Sequence, residues 1–243
     1  MCGRYNVIPN AGAFLEAFEI TMGLDRLPSN PAYNISPSAK NRITHVPIVR
    51  MRDDQRELAM VRWPLIPPWA KGQPVGYSTA NAKCETLDQK PSYKNAWRNR
   101  RCLVPASGYY EWQTVPQRRN KQPYHIRTKD QQLFAFGGLW EQSKTEQGEI
   151  IESCTIVTTP TNRTLQAIHP RMPLMLLKEG YVDWLTGTTQ DAERWLKPFP
   201  AELMEAYPVS TYVNNPTHND SRCIEPIDVP VYEPDVNSAR QEQ

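Results

Sequence analysis

Position 2 of the chain carries a residue type that is well suited to react with an aldehyde. The sequence begins MCGRYNVIPN, so Cys2 becomes the amino-terminal residue once Met1 is removed. A terminal amine has a pKa of about 7.7 to 8.0 against about 10.4 for lysine, so roughly a tenth of it is nucleophilic at neutral pH. The adjacent thiol can then close on the imine to form a five-membered thiazolidine. Taken alone, Cys2 also fits an exposed residue without a chemical role.

Three other polar residues lie in motifs that suit orientation or proton transfer. Asn81 of STANAKCET carries an amide that both donates and accepts hydrogen bonds. Glu111 of SGYYEWQ lies among aromatic residues, whose desolvation would raise its pKa toward neutrality. His169 of IHPRMP precedes a proline in a rigid loop and could pass a proton. The alternatives are a turn-stabilising Asn, an outward-facing Glu on a strand and a His with a purely structural role.

Two segments combine aromatic residues with basic residues or prolines. The pattern of PSYKNAWRNRRC suits a phosphate backbone with exposed bases, and a solvated helix face is the alternative. Its members are Tyr93, Lys94, Trp97, Arg98, Arg100 and Arg101. In RWPLIPPWA, Trp63 and Trp69 stand among prolines and predict either a rigid stacking loop or core packing.

Composition excludes several classes of protein. The net charge is only +2, so any nucleic-acid site must be a local patch. The longest apolar run, MPLMLL, is too short to span a bilayer, and we expect a cytoplasmic protein, associated with the nucleoid if the source is bacterial. The five cysteines form no C-x-x-C pair and the four histidines no H-x-x-x-H pair, so we predict no disulfide framework, metal or other cofactor.

The elements that must position these residues are short, because 23 prolines stand against 11 glycines. AGAFLEAFEITMGL predicts an amphipathic helix, and EGYVDWLTG and TTQDAERWLKPF predict two later ones. Strands are predicted in ELAMVRWPLIP, RCLVPASGYYEW, QPYHIRT, QLFAFGGLW and ESCTIVTT. This order favours an α+β fold. We predict one domain over residues 1–228 and a polar, disordered tail over 229–243.

Seven motifs together resemble one family, the SOS response-associated peptidase (SRAP) or abasic site processing proteins. In order they are MCGRY, AYNISPS, RWPLIPPWA, NAKCET, RCLVPASGYYEW, IHPRMPLML and VSTYVNNPTHND, and they cover residues 2 to 226. The resemblance implies a strongly curved, barrel-like, mostly antiparallel β core with flanking helices. It also implies that the protein senses abasic sites in single-stranded DNA and, after loss of Met1, crosslinks to them through a Cys2 thiazolidine that shields the lesion. A hydrolase activity that releases Met1 and a lyase-type activity are further implications.

The resemblance also assigns roles to residues. Cys2 is the nucleophile, and Asn81 positions its amine and the sugar. Glu111 shuttles protons, and His169 protonates the sugar oxygen during ring opening. The residues expected on the DNA side are Arg4, Asn34, Trp69, Lys83, Arg98, Arg171 and Ser210. Lys83 stands where the family usually has arginine, which keeps the charge but loses the bidentate fork.

Two other functions stay open from the sequence. An amidohydrolase with an N-terminal nucleophile, such as a class II glutamine amidotransferase, also begins Met-Cys-Gly and uses the thiol for acyl transfer. The later motifs argue against it. A non-covalent protein that binds single-stranded DNA through the basic and aromatic segment would leave Cys2 incidental. The expected partner is single-stranded DNA with abasic sites, bound by a monomer without a membrane contact.

Overall fold

Thirteen strands and four α-helices occur in the described part of the chain. The computed structural model describes residues 2–8, 11–38, 43–116 and 120–228. The strands are β1 (Tyr5–Val7), β2 (Ala32–Ile35), β3 (Thr44–Arg52), β4 (Gln55–Trp63), β5 (Asn81–Lys83), β6 (Arg101–Ala106), β7 (Gly108–Gln113), β8 (Gln122–Thr128), β9 (Phe134–Lys144), β10 (Ile150–Pro160), β11 (Arg171–Pro173), β12 (Met175–Leu176) and β13 (Met204–Pro208). The helices are α1 (Ala11–Phe18), α2 (Lys94–Asn99), α3 (Tyr181–Thr186) and α4 (Thr189–Glu193).

Five strands close into a β-barrel. β3 pairs antiparallel with β4 and β6, and β6 with β9. β9 pairs antiparallel with β10, which returns to β4 in parallel at Ser153 and Arg62 and so completes the ring. Closure removes the exposed strand edges of an open sheet. The predicted α+β fold with a strongly curved, barrel-like β core is confirmed.

A second, five-stranded sheet packs on the barrel. Its order is β13-β8-β7-β1-β2, and all its pairings are antiparallel. Tyr5 of β1 makes edge-on ring contacts with Trp63 and Phe136, at centroid distances of 5.5 and 5.8 Å. Tyr109 of β7 contacts Phe136 in the same way at 5.8 Å. These buried aromatic rings join the sheet to the barrel core, since such pairs add to the area they bury.

The C-terminal segment covers the other face of this sheet. Tyr110 of β7 is buried there with Val209, Val213 and Cys223, in a cluster separate from the main core. The Tyr110 hydroxyl donates to the Tyr33 carbonyl at 2.7 Å. Both faces of β7 are therefore buried, and β7 is the strand that carries Glu111.

Most predicted helices and strands are confirmed. The differences occur where tertiary contacts determine whether a segment forms one strand, two strands or none. α1 lies inside AGAFLEAFEITMGL and buries Phe14 and Phe18. RCLVPASGYYEW contains two strands instead of one, because β6 belongs to the barrel and β7 to the second sheet. The short strands β1, β2 and β13 carry no clear alternation and were not predicted. The predicted tail, residues 229–243, lies outside the described residues.

The basic and aromatic segment contains the short amphipathic helix α2 and the start of β6. Tyr93 and Trp97 are buried, and Trp97 packs against Trp184 with ring centroids 5.6 Å apart. Lys94 and Arg98 are exposed on the opposite side. The interpretation of these aromatic residues as a stacking surface for bases is therefore wrong, because they fill the core.

Within the described ranges, no helix is long and apolar enough to cross a membrane.

Arg101 at the start of β6 ties two helix ends to the barrel. Its Nε donates to the Trp184 carbonyl at 2.6 Å and its Nη1 to the Trp97 carbonyl at 2.9 Å. Its Nη2 donates to the Gly187 carbonyl. These are orphan carbonyls near the C-terminal ends of α2 and α3, which a buried cation satisfies.

Replacing Arg101 is expected to destabilise the fold. Arg101→Met should lower the free energy of unfolding by about 3 kcal/mol, because buried carbonyl groups lose their partners. Urea unfolding measures the change. Arg98→Met, an exposed arginine on α2, is the matched control and should remain within about 0.5 kcal/mol of the wild type. Equal losses in the two variants would contradict a specific role for Arg101.

Candidate functional site

Strand β10 brings the outer strands of the site together. β5 pairs with it in parallel, with Asn81 opposite Ile156. β11 pairs with it antiparallel, with Arg171 opposite Pro160. Thr158 of β10 lies opposite Lys83 on one side and Pro173 on the other. Segments that are about 90 residues apart in the sequence therefore flank the C-terminal residues of one strand.

Residue 2 is held inside the protein by Asn81. The Asn81 Nδ2 group donates to the Cys2 carbonyl at 2.9 Å and to the Ala80 carbonyl at 2.6 Å. Cys2 is fully buried, and its thiol lies 3.9 Å from the Arg4 carbonyl oxygen. The alternative of an exposed, incidental cysteine does not fit this placement.

Burial controls the protonation of the Cys2 thiol. Desolvation raises the pKa of Cys2 well above its usual value, and the nearby charge of Glu111 raises it further. The thiol is therefore neutral at physiological pH in this environment. A reaction through sulfur has to remove its proton as the new bond forms.

Glu111 lies on β7, two residues beyond the pairing of Tyr109 with Tyr5. Its side chain is buried, which excludes the alternative of an outward-facing Glu. Desolvation raises the pKa of Glu111, and the nearby charge of His169 partly offsets the increase. The carboxyl group is thus within electrostatic range of both the Cys2 thiol and the His169 ring, and its raised pKa suits proton transfer.

His169 is held in the loop between β10 and β11. Its Nδ1 atom lies 2.9 Å from the Arg171 carbonyl oxygen, and the Arg171 backbone N–H donates to Nδ1 at 3.1 Å. Gln113, at the end of β7, donates from Nε2 to the Ala167 carbonyl at 3.0 Å, which links the Glu111 strand to this loop. The contacts at Nδ1 fix the orientation of the imidazole ring within the loop.

Arg4 and Asn34 form a clamp on the C-terminal segment. The Arg4 guanidinium donates from Nη1 to Asn34 Oδ1 at 2.9 Å and to the Val213 carbonyl at 2.6 Å, and from Nη2 to the Asn214 carbonyl at 3.0 Å. Asn34 is buried, and its Nδ2 group donates to carbonyls of the same segment. These belong to Val213, Asn215 and His218, at 3.1, 3.0 and 2.9 Å. Both side chains, expected on the DNA side, bond within the protein.

The other residues expected to contact DNA occupy different settings. Trp69, Lys83 and Arg98 are exposed, and 55% of Trp69 is accessible. Ser210 instead caps a short 3-10 helix (Thr211–Asn214), where its hydroxyl accepts from the Tyr212 N–H at 3.2 Å. No sequence signal separates this capping role from a contact with DNA, because serine serves both.

Arg171 is paired with a carboxylate that sequence reasoning missed. Its guanidinium donates to Glu85 through Nη1 at 2.5 Å and Nη2 at 3.0 Å, and Nη2 also reaches the Thr158 carbonyl at 2.7 Å. These hydrogen bonds lower the pKa of Glu85 to about 2. The signal for Glu85 was present in NAKCET, where an acid follows the expected cation Lys83 by two residues.

Metal chemistry has no candidate centre in residues 2–8, 11–38, 43–116 and 120–228. No group of three or more His, Cys, Asp or Glu side chains in these ranges could hold a metal ion. Cys84, Cys102, Cys154 and Cys223 are free thiols, as is Cys2.

The fold and the site define a single-domain α+β barrel protein whose buried second residue is bound by an amide and lies near a carboxyl, which in turn interacts with an imidazole. The family model described as SOS response associated peptidase (SRAP) matches residues 1–216. The chain belongs to this family.

Known proteins of the family resemble the chain over nearly its whole length. It is 39% identical to the abasic site processing protein YoqW of Bacillus subtilis, with 93% of this chain and 99% of that protein covered. It is 35% identical to the abasic site processing protein YoaM of Bacillus subtilis, over 93% and 98%. A crystal structure of a protein from Bacteroides thetaiotaomicron superposes with a TM-score of 0.77 at 26% identity, covering 93% of this chain and 100% of that one.

The pairing of Arg171 with Glu85 predicts a pH-dependent contribution to stability. The folded-state pKa of Glu85 is depressed, so the ion pair stabilises the protein above about pH 4.5 and loses its effect as the pH falls toward 2. Arg171→Met should return the pKa of Glu85 toward 4.5, as measured by NMR titration of the side-chain carboxyl. The difference in unfolding free energy between variant and wild type should shrink over the same pH range.

Arg98→Met is the control for this titration, because Arg98 carries the same charge on the exposed side of α2. It should leave the pKa of Glu85 unchanged. A Glu85 carboxyl that still titrates near pH 2 in Arg171→Met would show that another group holds it.

Proposed function

We propose that this protein processes abasic sites in single-stranded DNA by forming a covalent thiazolidine through Cys2 after Met1 is removed. The observation that carries the proposal is the 2.9 Å hydrogen bond from Asn81 Nδ2 to the Cys2 carbonyl. It orders residue 2, and Glu111 is close enough to interact electrostatically with both Cys2 and His169. Relatives named abasic site processing proteins support the substrate.

The proposed reaction joins one aldehyde to two groups of Cys2. The free α-amine adds to the aldehyde carbon of the ring-opened sugar, and the carbinolamine loses water to give an imine. The thiol sulfur then adds to the imine carbon, and its proton ends on the ring nitrogen. The net change is two new bonds, carbon to nitrogen and carbon to sulfur, with release of one water molecule.

The surrounding groups suit the proton transfers that these steps require. Glu111 is close enough to Cys2 to raise the pKa of its thiol, so its carboxylate can accept the thiol proton as sulfur adds. His169 is the proposed donor to the sugar oxygen when the ring opens, with its orientation fixed through Nδ1. Asn81 is proposed to orient the Cys2 backbone and the sugar.

The exposed residues expected on the DNA side suit a single DNA strand. Trp69 offers an accessible ring for stacking, and Lys83 and Arg98 offer cations for phosphates. Arg171 is also proposed to meet a phosphate, which requires it to exchange the Glu85 carboxylate for the DNA. Arg4 and Asn34 are proposed to act by holding the N-terminal strand rather than by direct contact, because their side chains already bond within the clamp.

Crosslinking through Cys2 predicts a denaturant-resistant adduct. Wild-type protein incubated with a single-stranded oligonucleotide carrying one abasic site should give a slow band on a denaturing gel. Cys2→Ala should give none, since no thiol can close the ring. Both Cys2→Ala and Cys2→Ser keep the terminal amine once Met1 is lost. Their unclosed imines should lose the 3′ phosphate by β-elimination, which would appear as strand cleavage and report the lyase-type activity.

Intact mass is the control for all three proteins, because a retained Met1 leaves the residue 2 nitrogen in an amide. Loss of Met1 from Cys2→Ala would assign its removal to a cellular aminopeptidase. Retention of Met1 in Cys2→Ala alone, with Met1 lost from the other two proteins, would assign its removal to the protein itself. An adduct that survives Cys2→Ala would place the nucleophile elsewhere. Release of ammonia from glutamine without an adduct would favour the amidohydrolase alternative.

The buried Glu111 carboxyl predicts a distinct pH dependence. As a base it must be ionised, so the crosslinking rate should rise with pH through its raised pKa, above the ordinary 4.5. Glu111→Gln should lower the rate about 100-fold and remove this limb of the profile, as single-turnover gel kinetics would measure. Glu193→Gln, an exposed residue on α4, should leave both unchanged. An unaltered profile in Glu111→Gln would rule out its role as base.

A further inference from the structure

A pocket of about 470 Å³ adjoins the candidate site beside Asn81. Its volume falls within the range of about 300 to 1,000 Å³ that is typical of small-ligand sites. Asn81 and Lys83 both line it, because residues two apart on a strand face the same way. The pocket is thus lined by the residue that holds Cys2, whereas Cys2, Glu111 and His169 are not among its lining residues.

The aromatic wall of this pocket is held in place by hydrogen bonds. Tyr77 is 54% exposed, and its hydroxyl lies 2.6 Å from Ser92 Oγ. Tyr93 is buried behind it and donates from its hydroxyl to the Asn81 carbonyl at 3.3 Å. Burial, together with the nearby Tyr77 hydroxyl, raises the pKa of Tyr93 to about 12. Tyr77 therefore presents an accessible ring on a fixed support.

The charge of the pocket is positive. Lys83 and Lys90 line it, both are exposed, and its lining includes no acidic residue. In the part of the chain that the structure describes, neither lysine amino group forms an ion pair with a carboxylate. Arg171, by contrast, is already paired with Glu85. An aromatic ring beside two lysines suits a ligand with a flat base and a phosphate.

We propose that this pocket binds the nucleotide next to the abasic sugar, with its base stacked on Tyr77 and its phosphate near Lys83 and Lys90. An abasic position deprives its neighbour of one stacking partner, so that base is readily turned out of the strand. Stacking on an aromatic side chain replaces the lost contact and tolerates any base. The inference rests on the proposed function and names the part of the substrate that the protein would hold beside the lesion.

Truncated oligonucleotides test the pocket separately from the crosslink. Three single-stranded substrates are compared at concentrations below saturation: one with nucleotides on both sides of the abasic site, one ending at it on the 5′ side and one ending at it on the 3′ side. Crosslinking rates are measured for the wild type, Tyr77→Leu, Tyr77→Phe and Lys90→Ala. Lys129→Ala, an exposed lysine beyond the end of β8, is the charge-matched control.

We expect Tyr77→Leu to lower the rate about 10-fold on the full substrate and on one truncated substrate, because one stacked base is lost. On the other truncated substrate, which lacks the bound neighbour, the variant should react like the wild type, and this normal rate also shows that it is folded. Lys90→Ala should follow the same pattern, while Tyr77→Phe and Lys129→Ala stay near the wild type.

Two results would overturn the pocket assignment. Equal loss on all three substrates would mean that Tyr77 acts through Asn81 and not through a nucleotide, and unchanged rates on all three would mean that no neighbour binds there. In both cases the wild type still forms its adduct. Absence of any wild-type adduct instead contradicts the proposed function, so the two failures are distinguishable.

Discussion

The pairing register of β10 is the constraint on which the rest of the structure depends. Over its N-terminal half the strand closes the barrel, through β9 on one side and through Ser153 to β4 on the other. Over its C-terminal half the same strand pairs with β5 and β11, which carry Asn81 and Arg171. A slip of one residue would turn every side chain to the opposite face, so closing the barrel also sets the positions of the site. The pairing of β10 therefore determines both the closure of the barrel and the geometry of the site.

The N-terminal segment is ordered by contacts that a chain end ordinarily lacks. Asn81 binds the Cys2 carbonyl, the Tyr110 N–H donates to the Arg4 carbonyl at 2.9 Å, and the Arg4 guanidinium bonds to the clamp. Chain ends are usually mobile. Each of these hydrogen bonds offsets part of the conformational entropy that is lost when a chain end becomes ordered. The result is a second residue held in a defined orientation before any substrate arrives, which is what a reaction at a chain terminus requires.

Burial and charge divide the region into two environments. Desolvation raises the pKa values of Cys2 and Glu111. This keeps the thiol neutral and brings the pKa of the carboxyl nearer to physiological pH. Outside this buried centre, Lys83 and Arg98 are solvated cations, and Arg171 is balanced by Glu85. The proposed function uses the buried groups for proton transfer and the solvated cations for contacts with DNA. A weak global charge of +2 is compatible with this division, because the cations need only be local.

The sequence by itself determined the family, the α+β class, the main strands and the first helix α1, because hydrophobic periodicity and motif order are local properties of the chain. It also singled out Cys2, Asn81, Glu111 and His169 by residue type. Only the tertiary structure decided the environment of each polar residue: that Glu111 is buried and not outward-facing, and that the aromatic residues of PSYKNAWRNRRC fill the core.

The same limit applies to Asn34 and Arg4, because either side chain could by its type contact DNA or form hydrogen bonds within the protein. Their partners lie about 180 to 210 residues away, at Val213 and Asn214. The Glu85 partner of Arg171 is 86 positions distant. A hydrogen bond between residues so far apart leaves no periodic trace in the sequence, so the role of each donor is settled only when the barrel closes and the two segments meet.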